Sequence, residues 1–265
     1  MKRGKSVASP FTNIAIGIKT FLRDEHLEVA VKGILHNMPG AQIIVADDGR
    51  MTPAKSLFYD NLRYWGHYVM YMPYDSGFGA KSNVISQANE HPYLLIGSDD
   101  FDFTYEAAEG VLKLQSILDN NPEIAVASGR VRNRPYEFLL EEKDGVITEH
   151  PLDVDINGRG QSFIECDLTV NYSLIRKKVF NFVRWDDDVK IGGGEHGAWF
   201  LDVKRAGFKV AYVPGVNINE QNRPSSQEYR KYRARAHSPK RPCFERRGIK
   251  RYILGNGQVD YDAIS

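Results

Sequence analysis

The stretch that most constrains this chain is Leu94-Leu-Ile-Gly-Ser-Asp-Asp-Phe-Asp-Phe103, where a short apolar run ends in three carboxylates within four residues. The run is long enough for a buried strand and too short for a helix. Carboxylates at the C-terminal end of such a strand lie where open α/β sheets present their ligands. Acids this close repel one another unless a cation or polar ligand sits among them. Oxygen-only donors suit Mg2+ or Mn2+, typically shared with a substrate phosphate. The same residues also suit an acidic turn leading into the next helix, with Asp102 or Thr104 as its N-cap.

The segments around this stretch decide the architecture. Residues 13–21 are rich in β-branched side chains and read as a buried strand, and Asp24-Glu25 opens a helix that stops at Asn37-Met-Pro-Gly40. Residues 41–47 form a second strand, again ending in acids at Asp47-Asp48-Gly49. Helices over 55–64 and 79–89 and strands over 67–72 and 93–97 continue the alternation, which predicts right-handed parallel βαβ units. The pattern then changes. A helix over 106–118 and a strand over 124–131 precede a hairpin turning at Lys143-Asp-Gly145, where glycine supplies positive φ. Residues 163–173 and 179–183 read as strand-like. An acidic, Gly-rich loop over 185–196 then enters a helix over 197–206, and 209–213 reads as a last strand.

Composition excludes several classes. A chain of 265 residues with 42% hydrophobic content can bury a full core. No apolar run approaches the roughly 20 residues of a membrane span, and the basic, polar start is not a signal peptide. Cys166 and Cys243 have no metal or redox spacing and suit a reducing compartment. The expected location is therefore cytoplasmic, or the host cytoplasm if the chain is viral. The formal charge of +1 hides an asymmetry: 223–265 hold eleven Lys/Arg against four Asp/Glu, a surplus of seven positive charges, which leaves the first 222 residues at −6.

Four segments in order, Ile18-Lys-Thr-Phe-Leu-Arg23, Val45-Ala-Asp-Asp-Gly49, Leu94 to Phe103 and Trp185 to Leu201, resemble nucleotide-sugar glycosyltransferases of the GT-A fold. The last segment, with Arg130 and Tyr136, is most similar in pattern to inverting β-1,4-N-acetylgalactosaminyltransferases. The likeness covers about residues 13–222. It implies an α/β, GT-A-like fold: a Rossmann-like mixed sheet with helices on both faces, a donor half at 1–103 and an acceptor half at 104–222. Residues 223–265 are left as a basic C-terminal extension. It implies a metal-dependent, inverting enzyme that moves a sugar from a nucleoside-diphosphate donor, UDP-linked, to a hydroxyl, with Mn2+ or Mg2+ as cofactor.

The resemblance also assigns residues. Asp47 matches the acid that reads the base or ribose, while Asp48 reads as a turn former. Thr20 and Phe21 match the walls of the base site. Lys81, in Gly77-Phe-Gly-Ala-Lys81, matches a basic residue near the diphosphate, and a Gly-rich turn opening a helix is a ready anion site. The central acid-x-acid pattern reads Ser98-Asp99-Asp100 here, so metal binding falls on Asp100, and the ribose contact is either weakened or passed to Asp99. Asp102 reads as structural and Asp186 to Asp188 as a solvated loop. Glu195, at a helix entry whose dipole favours its ionised form, matches the general base, with His196 as the alternative. Relatives commonly place a histidine after the final strand as a metal ligand. None falls between Lys209 and Gln221; Asn217, Asn219 and Glu220 are available there, and the two open readings are that Glu220 replaces it as an oxygen ligand or that metal binding is lost.

In the extension, cations interleave with Tyr229, Tyr232, Phe244 and Tyr252. Basic groups neutralise phosphates and aromatics stack on unpaired bases. This predicts a DNA acceptor gripped by Arg246, Arg247, Lys250 and Arg251, as in phage-type enzymes that glycosylate a hydroxymethylated, flipped-out base. The open alternatives are a solvated tail, a lid facing the diphosphate, a bacterial enzyme acting on a surface glycan or lipid-linked saccharide, and an inactive nucleotide-sugar or nucleic-acid binding protein.

Overall fold

The computed structural model describes residues 9–154, 160–190, 194–234 and 240–263. Its first half alternates as the sequence predicts: β1 (Ile14–Thr20), α1 (Asp24–Asn37), β2 (Gln42–Asp47), α2 (Pro53–Tyr64), β3 (Tyr68–Tyr71), α3 (Phe78–Ala88) and β4 (Tyr93–Ser98). Asp99 and Asp100 form the turn from β4 into the two-residue β5 (Phe101–Asp102). Then come α4 (Tyr105–Asn120), β6 (Ile124–Val131), β7 (Phe138–Lys143), β8 (Val146–Pro151), β9 (Ile164–Cys166) and β10 (Ser173–Arg176). The chain closes with α5 (Glu195–Arg205), β11 (Lys209–Glu220), α6 (Gln227–Ala234), α7 (Lys240–Glu245), β12 (Arg251–Ile253) and β13 (Val259–Asp262).

The main sheet has the order β3-β2-β1-β4-β10-β6-β11-β5, with β9 also paired to β11. Strands β1 to β4 are mutually parallel, and β10 is antiparallel to both β4 and β6. Because β2, β1 and β4 are covered on both faces, they read as continuous apolar runs. Ile14, Ile16 and Ile18 of β1 join a core with Leu27 and Val31 of α1 and Leu114 of α4. Ala15, on the opposite face, joins a second core with Ile85 of α3 and Trp199 of α5. Lys19 shares that second face by alternation. Local chemistry fixes the helix starts. Thr52 and Thr104 accept the N–H groups of Lys55 and Ala107, so Thr104 caps α4 and Asp102 does not.

Three departures from the sequence reading bear on function. Residues 177–181 form a 3-10 turn rather than a strand, burying Val179. Strand β11 runs on to Glu220, past the expected end at 213, because it pairs first with β6 and then with β5. Its last residues thereby lock the acidic turn: Gln221 N–H donates to the Asp100 carbonyl at 2.7 Å, and its side-chain amide to those of His26, Asp99 and Phe101.

The third departure concerns the extension. Strands β13-β12-β8-β7 form a second sheet, in which β12 lies parallel to β8. The β7–β8 turn is the expected hairpin, with Asp144 and Gly145 both at positive φ. Cys243, Phe244, Ile249 and Tyr252 are buried in the second core. Residues 240–263 are thus part of the packed body. No helix among the described residues is long and apolar enough to cross a membrane.

Candidate active site

A cavity of about 260 Å3 opens at the carboxyl ends of β1 and β4, where Phe21, Asp48, Lys81 and Asp100 meet Tyr232 and Arg233 of α6. At one end Phe21 lies 5.5 Å from Tyr74 and 5.0 Å from Tyr232, centroid to centroid, and the two tyrosine hydroxyls are hydrogen-bonded at 2.8 Å. These rings form an aromatic wall of the kind that holds a planar base. Phe21 was legible in the sequence; its two tyrosine partners, 158 residues apart, were not.

The acids fall into buried and facing groups. Asp47 is fully buried and accepts from Tyr59 Oη (2.6 Å), the Gly49 N–H (2.8 Å) and Lys55 Nζ (2.9 Å). Its oxygens are used by the chain, and the cavity wall is formed instead by Asp48, the residue read as a turn former. Asp48 accepts from Lys81 Nζ at 2.5 Å and from the Gly77 N–H at 2.7 Å. Lys81 also donates to the Thr20 carbonyl, at 3.0 Å.

The Gly77 turn is likewise engaged. Phe78 and Gly79 donate to the carbonyls of Lys190 and Val189, both at 3.3 Å. A Cβ on Gly79 would collide with the Asp186 carbonyl. The glycines therefore serve close packing of α3 on the 186–190 loop, and these N–H groups already have acceptors.

The acidic turn is organised by one guanidinium. Arg23 pairs with Asp99 through Nη2, donates to it again through Nε at 3.2 Å, and reaches Asp100 through Nη1 at 2.7 Å. Thr20 Oγ donates to Asp99 at 2.8 Å, so Asp99, fully buried, is a structural anchor. Burial pushes the Asp99 carboxyl up against the pull of Arg23. For Asp100 burial pushes the same way, but Arg23 and Ser98 outweigh it and hold that carboxyl below its ordinary range. Arg23 also lies 4.5 Å over the ring of Tyr229 on α6.

These contacts test the expected metal. Asp100 and Glu220 both line the cavity, but Asp100 is held by Arg23 and Glu220 by Arg132 at 2.7 Å. Among the described residues no three His, Cys, Asp or Glu gather as a metal-holding group. A divalent ion on Asp100 would lie against a guanidinium, and like charges at that range repel. The donor set as arranged does not fit Mn2+ or Mg2+.

A second cavity, of about 360 Å3, adjoins the first and shares Phe78, Asn171, Lys190 and Arg233 with it. Its far wall is Tyr136, Glu195 and His196. Glu195 is the first residue of α5, behind Gly194 at φ 81°. Gly193 lies outside the described residues. The His196 ring meets the Thr169 carbonyl through Nε2, which must therefore carry the proton. Burial lowers the His196 pKa, so the ring is neutral at pH 7. Burial raises the Tyr136 phenol to about 12.

The basic extension braces this second cavity. Arg247 bridges Asp202 (2.6 Å) and Asp186 (2.8 Å), Arg246 pairs with Asp186 (2.7 Å) and Asp188 (2.9 Å), and Arg251 with Asp262 (2.5 Å). Phe244 packs so close to Gly194, and Tyr252 to Gly197, that a Cβ at either glycine would collide with the ring. Of the four cations assigned to DNA, only Lys250 has no ion pair among the described residues. In the loop read as solvated, Asp186 and Asp188 supply acids to Arg246 and Arg247, while Asp187 accepts from the Asn83 amide at 2.6 Å. Arg247→Ala should therefore behave as a stability variant. It leaves Asp186 with the half-exposed Arg246 and the weak thiol donor of Cys243, and should cost about 3 kcal/mol in urea unfolding.

No protein-family model matches the sequence. Among solved structures, the chain superposes on S. aureus TarS residues 1–349 with a TM-score of 0.56 at 10% identity, covering 79% of this chain and 60% of that one. It superposes on GalNAc-T7, solved with UDP, GalNAc and Mn2+, with a TM-score of 0.63 at 13% identity, covering 81% and 44% respectively. The architecture is the mixed α/β fold of GT-A glycosyltransferases. The chain spans less than two thirds of the length of either structure.

Proposed function

We propose that this chain is a glycosyltransferase that moves a sugar from a nucleoside diphosphate, UDP by preference, to an acceptor hydroxyl with inversion. The observation that carries this reading is the pair of adjoining cavities. One has an aromatic wall and a cationic floor suited to a nucleotide, and the other presents Glu195 and His196. A sugar spanning the shared residues would have its anomeric carbon between the two.

In this reading the acceptor O–H gives its proton to the Glu195 carboxylate as its oxygen bonds to the anomeric carbon. The bond from that carbon to the diphosphate breaks, and its electron pair leaves on the phosphate oxygen beside the cavity cations. Neutral His196 and Tyr136 are placed to orient the acceptor. Tyr136, 37% exposed, offers an aromatic face to a saccharide, which favours a glycan over DNA now that Arg246, Arg247 and Arg251 are paired within the chain.

The test is a nucleotide-sugar panel read by thermal shift and by nucleotide release. A ligand that binds only the folded state stabilises by mass action. One UDP-sugar is expected to raise the melting temperature and to be turned over slowly even without acceptor. A panel in which no nucleotide-sugar shifts the protein removes the proposal.

A further inference from the structure

The least expected group in the donor cavity is Lys19. All seven residues of β1 are buried, and Lys19 is 6% exposed, yet it lines the cavity wall. Its ammonium has no hydrogen-bond partner among the described residues and rests 4.3 Å over the ring of Phe78. Burying an unpartnered ammonium is costly. Burial, with Lys81 adding repulsion, lowers its pKa to about 7, although Asp99, Glu195 and Asp100 pull the other way. A group kept at that cost inside a polar cavity points to a ligand that supplies the missing acceptor.

The charges around it define that ligand. The lining holds five cations, Lys19, Arg23, Lys81, Lys190 and Arg233, and four acids, Asp48, Asp75, Asp100 and Glu220. Each acid is matched: Asp48 by Lys81, Asp75 by Lys190 at 3.6 Å, Asp100 by Arg23 and Glu220 by Arg132. Among the described residues Lys19 and Arg233 have no carboxylate partner. Two cations without a carboxylate partner in one cavity suit a pyrophosphate diester, which carries an anionic oxygen on each phosphate.

We infer that the donor's pyrophosphate is neutralised by Lys19 and Arg233, with Arg23 acting as a built-in cation on the acidic turn, so that nucleoside-diphosphate binding by this chain needs no divalent metal. The inference rests on the nucleotide-sugar reading above. It replaces a metal bridge between carboxylate and phosphate by two separate pairings, Arg23 with the Asp pair and Lys19 with the phosphate. Arg233, lying between the two cavities, would then meet the phosphate nearer the sugar and receive charge as the bond breaks.

The experiment is calorimetry of UDP binding to the full chain in EDTA and again in Mn2+. The expected result is the same affinity, within about twofold, in both. Lys19→Met should weaken UDP binding about tenfold or more, the loss of one charge-assisted hydrogen bond. Without UDP it should melt no lower than the parent, since it removes an unpartnered buried charge; a structural lysine would give the opposite shift. Arg23→Ala supplies the second arm. Once Asp99 and Asp100 lose their guanidinium, Mn2+ should strengthen UDP binding where it did nothing before.

UDP binding that appears only with Mn2+ overturns the inference and leaves the donor reading standing, as does a Lys19→Met protein that binds normally or melts lower. Indifference of Arg23→Ala to Mn2+ overturns the role given to Arg23. If UDP, GDP, CDP, ADP and inorganic pyrophosphate all fail to bind under both conditions, the nucleotide-sugar reading itself falls, and the inference with it.

Discussion

Glu195→Gln is expected to lower turnover about a hundredfold or more while changing UDP affinity by less than about twofold. The substitution keeps size and hydrogen-bonding capacity and removes only the ability to take a proton. Glu195 is the first residue of α5 and lines the second cavity. His196 stands beside it with its Nε2 proton committed to the Thr169 carbonyl. The measurement is nucleotide release with donor and acceptor saturating, alongside UDP binding by calorimetry. If His196→Ala is crippling and Glu195→Gln is mild, the base is His196 and Glu195 orients it.

The position of α5 explains why so basic an extension is folded onto the body. Phe244 and Tyr252 fill the spaces left by Gly194 and Gly197, and Arg247 ties Asp202 of the same helix to Asp186 of the loop under α3. Loosening the extension would therefore move Glu195 first. Near-attack geometry is sensitive to such shifts, so Arg247→Ala should lower turnover as well as stability. A reading of net charge saw eleven cations. It could not see which of them meet acids that lie 45 to 61 residues away in sequence.

Other parts of the site were legible to different depths for similar reasons. The β–α–β succession and the acidic turn at Asp99-Asp100 were readable because strand ends and apolar runs are local signals. Asp47 and Asp48 are adjacent, and only the register of β2 decides which one is buried under Tyr59 and Lys55 and which faces the cavity. The glycines of 77–79 carry the pattern of an anion loop. What they do here, letting α3 lie against the 186–190 backbone, depends on a contact over a hundred residues away. Glu220 has the right chemistry for a metal, but Arg132 sits within reach of it.

Lys19 was readable and passed over. A lysine inside seven residues that otherwise read as a buried strand breaks the local rule, and positions that break such rules tend to be functional. Arg23 was quoted within the resemblance without a role, because its two carboxylate partners lie 76 and 77 residues on.

Lys81→Met is expected to destabilise the protein by about 3 to 5 kcal/mol in urea unfolding, as for a buried ion pair broken on one side. The Lys81 side chain is 8% exposed and its partner Asp48 1% exposed, at 2.5 Å. Without the ammonium, Asp48 keeps only the Gly77 N–H. Asp48→Asn alone should also be destabilising, since it leaves Lys81 with the Thr20 carbonyl as its acceptor. Combining the two removes both charges while the Asn side-chain oxygen can still accept from Gly77, so much of the lost stability should return. The coupling in this double-mutant cycle should amount to about 1 to 3 kcal/mol. UDP binding by the double variant then separates two roles for Lys81. If affinity returns with stability, Lys81 holds the cavity wall in place and Lys19 and Arg233 meet the phosphates. If stability returns and affinity does not, Lys81 meets the diphosphate directly, as its place in the Gly-rich segment first implied.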